Sequence, residues 1–152
     1  MDTKKLTLAD FTKKATDKYN NRKMVIEIEV EGMDGTVTFT RPSENDLLVY
    51  MSKNSKAVKT ELVIVEKAKD KNDDGERNKV VEIDYVLMTD AAVMLVFNSC
   101  AFLQDEALQK SLGATDPYDV VIKIFGASET RKIADRIVEE FSGDKVEEQI
   151  KN

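Results

Sequence analysis

The sequence predicts an α+β fold: a short N-terminal helix, antiparallel β-hairpin structure and a mainly helical C-terminal half. Apolar residues alternate with glutamates from Met24 to Glu31, and alternation resumes after a glycine turn at Val37 and Phe39. Beyond Met88 the apolar spacing becomes helical and remains so. A length of 152 residues, 41% apolar and 34% charged, suits one globular domain and is too apolar for disorder.

Thr7, with Asp10 three residues later, forms a helix start, and Leu8, Phe11, Ala15 and Tyr19 follow at helical spacing. Lys13, Lys14 and Lys18 sit toward the far end of that helix, where cations complement its dipole and read as a solvated face. Met24, Ile26, Ile28 and Val30 then share one strand face and Glu27, Glu29 and Glu31 the other. Gly32-Met33-Asp34-Gly35 supplies the turn into a second strand over Thr36 to Thr40.

Arg41-Pro42 ends that strand, and Ser43 with Asp46 caps a second helix that carries Leu47, Leu48 and Met51 to about Ser55. From Thr60 to Met88 the pattern is ambiguous between strand and helix ends. Leu62 to Val65 and Val80 to Met88 favour a second hairpin by their β-branched content. The intervening charged segment, residues 68–78, is expected to be a mobile exposed loop.

Thr89 or Asp90 is the expected cap of an apolar helix through Phe102, followed by a short helix from Asp105 to Ser111 that Gly113 stops. Asp116-Pro117 reads as cap and first helical position, with Val120, Val121, Ile124 and Phe125 as one stripe before Gly126. A last helix begins at Ser128, presents Ile133, Ala134, Ile137, Val138 and Phe141, and ends at Gly143. One domain over residues 1–143 is expected, with residues 144–152 as a polar, frayed tail.

The chain contains no histidine and no tryptophan, which removes the usual proton shuttle of nucleophilic triads and every imidazole metal site. A net charge of −6 disfavours nucleic acid as a partner. The longest apolar run, Ala91 to Phe102, is too short to span a bilayer, and the opening residues lack a secretory apolar core, so the expectation is a cytoplasmic protein without a membrane partner.

Candidate chemistry is sparse. Asp70, Asn72 and Asp74, followed by Gly75, match the first half of a calcium loop, but Val81 stands where a bidentate glutamate belongs, and a solvated turn explains the same letters. The pairs Glu27/Glu29 and Glu139/Glu140 lie on polar faces without sign of a pocket, and Cys100 sits in an apolar helix with no base to activate it. Neither a catalytic set nor a cofactor is expected.

Specific letters in the second half resemble the XkdN-like tail assembly chaperones of long-tailed phages and prophages of Gram-positive bacteria. They are Phe97-Asn98-Ser99-Cys100, Leu103, Leu108-Gln109, Gly113, Pro117-Tyr118-Asp119, Val121, Lys123-Ile124-Phe125 and Ile133-Ala134. The Thr36-Val37-Thr38 hairpin and Arg41-Pro42-Ser43 agree as well, whereas Thr60 to Met88 departs from the family pattern. The resemblance implies a non-enzymatic protein of the host bacterial cytoplasm that keeps the hydrophobic tape-measure protein soluble until the tail tube forms around it. The tail-tube protein is a further candidate partner, self-association is left open, and a structural tail protein retained in the virion is the alternative. A holdase of this kind needs an exposed apolar surface, and Tyr118, Val121, Phe125, Ile137 and Phe141 are the candidate client-binding residues.

Overall fold

The computed structural model describes residues 3–65 and 75–143. Helix α1 (Leu8–Asn20) precedes the strands β1 (Val25–Val30) and β2 (Gly35–Thr40), and α2 (Glu44–Ala57) follows. Strands β3 (Val58–Val65) and β4 (Gly75–Ile83) then lead to α3 (Tyr85–Asn98), a 3-10 turn at Ala101–Gln104, α4 (Glu106–Ser111) and α5 (Asp119–Ser142). Helices joined to two separate antiparallel hairpins make an α+β protein.

Alternation puts Ile26, Ile28 and Val30 of β1 into the core, paired with β2 so that Ile26 faces Phe39 and Ile28 faces Val37. Gly32 and Asp34 turn the chain with positive φ, a conformation glycine and aspartate tolerate best. The inner face of this hairpin joins a single apolar cluster with α2, α3 and α5, where Phe39, Val96, Val120 and Ile137 are fully enclosed. Helix α3 lies between α2 and α5 and packs on both.

Local chemistry sets the helix starts. The Thr7 hydroxyl accepts from the Asp10 N–H at 3.2 Å, and that of Ser43 accepts from the Asp46 N–H at 3.0 Å, as their spacing predicts. The expected start at Thr89 or Asp90 is corrected to Tyr85. Asp84 Oδ1 accepts from the Leu87 N–H at 3.0 Å, and this cap turns Tyr85 to Met88 into helix rather than the tail of a strand.

The same helix ends at Asn98 instead of Phe102. Ser99 is buried, its hydroxyl donates to the Leu95 carbonyl at 2.7 Å, and its own carbonyl accepts the Thr40 N–H at 2.7 Å. That bond to β2 draws the chain out of helical register, and Cys100 is extended.

The second hairpin forms, but β3 starts earlier than expected, at Val58, and β4 is shifted back from Val80–Met88 to Gly75–Ile83, with Val58 opposite Ile83 and Val65 opposite Gly75. Residues 75–78, assigned to a loop by the sequence, therefore belong to β4. Register slips between Lys59 and Thr60, where Val81 is the extra residue.

Asp116 acts two residues earlier than a cap. Its Oδ1 accepts the Tyr118 N–H at 3.0 Å in a turn, and α5 begins at Asp119. Gly126 breaks α5 as predicted, at φ 75° and ψ 168°, and the Thr130 hydroxyl donates to the Gly126 carbonyl at 2.6 Å. Gly143 ends the helix in the left-handed conformation.

Candidate functional site

The client-binding candidates on the last helix divide sharply. Val121, Phe125, Ile137 and Phe141 lie in the central apolar cluster, so the stripe expected to meet a client instead packs into the core, chiefly against α3. Only Tyr118 is exposed, and its ring lies 4.6 Å from that of Phe97. Core and interface stripes share one spacing, and burial alone separates them.

The opposite holds for α1. Its apolar spacing is as strong as any in the chain, yet none of its residues is buried. Leu8 is 82% exposed, Phe11 58% and Tyr19 64%. Leu6, Phe11, Ala15 and Tyr19 line an open groove of about 540 Å³. Helical spacing sets Lys14 and Lys18 side by side along the same groove, and Arg22, just past the helix end, lines it as well. Arg41, at the end of β2, also lines it.

Arg41 is held in place. Its Nη1 donates to the Lys23 carbonyl at 3.2 Å, its Nη2 lies 3.6 Å from Glu44, and its guanidinium stands 5.9 Å over the Phe141 ring. Arg22 covers the Tyr19 ring at 4.1 Å and donates its Nε to the Tyr19 carbonyl. Lys14 and Lys18 form no ion pair among the described residues.

A second concavity, about 460 Å³, opens between α2 and α5 and is lined by Tyr50, Asn54, Met88, Arg131 and Asp135 among others. The Tyr50 hydroxyl donates to Asp135 at 2.7 Å, and burial, reinforced by that carboxylate, pushes the phenol well above its ordinary pKa. Such a phenol stays protonated and serves structure, tying α2 to α5.

One member of each carboxylate pair is engaged structurally. Glu27 accepts the hydroxyls of Thr38 at 2.6 Å and Thr36 at 3.2 Å across the hairpin. Glu140 is ion-paired to Lys23 and, at 3.3 Å, to Arg136, and the Lys23 hydrogen bond holds its carboxyl below the usual range. Cys100 is buried in the core. Asp70, Asn72 and Asp74 lie outside the described residues, among which no three acidic or cysteine side chains cluster as metal ligands. Nor, among them, is any helix long and apolar enough to cross a membrane.

No protein-family model matches the chain, and no match was found among curated proteins or solved structures.

The sequence does contain the signal for the α1 surface. Phe11, Ala15 and Tyr19 repeat at four-residue intervals, and Lys14 and Lys18 run alongside. Because the lysines also suit an ordinary solvated helix end, the pattern alone points to no function.

Proposed function

We propose that this chain is a client-binding assembly protein, a holdase that covers an apolar helical segment of another protein and catalyses no reaction. The carrying observation is α1: a 13-residue amphipathic helix none of whose residues is buried, with Leu8, Phe11 and Tyr19 each more than half exposed. A helix of this length is marginal in water without packing, and an exposed amphipathic face is the usual form of an interaction site.

The XkdN-like letters in the second half give the client its identity in this reading: the phage tape-measure protein, bound in the bacterial cytoplasm before tail assembly. The net charge of −6 would help keep such a complex dispersed. Co-expression is the test. A phage tape-measure protein co-expressed with this chain is expected to become soluble and to co-purify with it, and the chain is expected to be missing from finished particles by mass spectrometry. Failure of both solubilisation and co-purification contradicts the proposal, and retention in particles favours a structural tail subunit instead.

A further inference from the structure

We propose that the α1 groove takes one helix of a partner protein, whose apolar stripe is flanked by glutamates or aspartates. This deepens the client-binding reading and rests on it. The groove floor is apolar, from Leu6 to Tyr19, and short enough to hold only a few side chains of a partner helix at i, i+3 or i+4 spacing.

Its border carries one sign of charge. Lys14, Lys18, Arg22 and Arg41 all line the groove, with Arg22 lying over the Tyr19 ring, on a chain that is otherwise net acidic. Acidic flanks on the partner would meet four cations, of which Arg41 is already fixed by the Lys23 carbonyl and partly balanced by Glu44. Basic flanks would be repelled, so charge selects the occupant while the apolar contacts hold it.

Other occupants fit less well. A second copy of α1 would set lysines against lysines. An anionic bilayer would attract α1 but repel a body of net charge −6. Residues 144–152 include Glu147 and Glu148 beside Val146 and Ile150, so the chain's own tail is a rival that the experiment must separate.

The test uses the full chain and two synthetic peptides of about 18 residues, long enough to be helical when bound. Both carry leucines at identical helical positions, one flanked by glutamates and the other by lysines. Amide NMR titration is expected to show the glutamate peptide binding about tenfold more tightly. Shifts should fall on residues 8–20 and Arg41, and the preference should shrink with added salt.

Phe11→Ser should abolish binding of both peptides, and Lys14→Glu combined with Lys18→Glu should reverse the preference, with unchanged circular dichroism. Equal affinities, or shifts confined to another surface, overturn the proposal. So do tighter α1-dependent binding to phosphatidylglycerol vesicles, a dimer lost in Phe11→Ser, or Overhauser contacts from Phe11 to Val146 or Ile150 in the free protein. If the peptides fail while the tape-measure protein still co-purifies, the groove assignment falls and the client-binding reading stands. If the glutamate peptide binds as described but no tape-measure complex forms, that reading falls instead.

Discussion

The backbone N–H of Thr40 donates to the carbonyl of Ser99 at 2.7 Å, joining the end of the first hairpin to the end of α3. Thr40 and Ser99 are 59 positions apart in the sequence, and this bond marks where α3 stops. The Ser99 side chain is fully enclosed, so Ser99→Val crowds the junction and removes the hydroxyl bond to Leu95. A loss of about 1–3 kcal/mol is expected from urea unfolding.

Gly126 holds φ 75° and ψ 168°, a region essentially restricted to glycine. A Cβ there would meet nothing within 4 Å, so Gly126→Ala is destabilising by backbone strain and not by collision. About 1–3 kcal/mol is expected. Thr130→Val, which removes the hydroxyl bond to the Gly126 carbonyl at nearly constant volume, should cost about 1–2 kcal/mol, read from the same denaturant midpoint.

Tyr50 makes stability depend on alkaline pH. Its phenol is raised above the ordinary 10.0 in the folded chain, so its contribution is complete below that value and is lost as pH climbs through the folded pKa. Tyr50→Phe removes the Asp135 bond, costs about 1 kcal/mol at neutral pH, and should flatten the decline above pH 10.0 relative to the parent. Parallel alkaline slopes for both proteins would contradict this.

Glu140 acts at the other end of the scale. Lys23 and Arg136 lower its pKa, so the pair stabilises above the unfolded carboxylate range and that contribution is lost as pH falls through the folded value. Because the pair is partly solvated, Glu140→Gln should remove only a few tenths of a kcal/mol at neutral pH. The acid limb of its stability curve should be correspondingly shallower.

The first hairpin was legible because period-two alternation has no competing explanation once glycine turns bound it, and Ser43 and Thr7 were legible because a cap is a local event. The start of α3 was not. Tyr85-Val86-Leu87-Met88 has strand composition, and only the Asp84 cap and packing on α2 and α5 decide otherwise. Surface assignment failed for a deeper reason. Ile137 and Phe11 both stand on apolar stripes, and nothing in either stripe states whether the chain folds another element over it. The structure buries Ile137 completely and leaves Phe11 more than half exposed.

That contrast separates stability from binding. Ile137→Ala should cost about 2–5 kcal/mol by opening a core cavity, whereas Phe11→Ser should shift unfolding by less than about 0.5 kcal/mol. Denaturation midpoints of the two variants check the pair directly.

Hydrogen–deuterium exchange of the full chain, alone and after co-expression with a phage tape-measure protein as the proposed client, asks whether α1 is the surface that is covered. Strong new protection across Leu8–Asn20, with little change in the buried residues of α5, is the expected result. A complex that forms while exchange in Leu8–Asn20 stays as fast as in the free chain would contradict it.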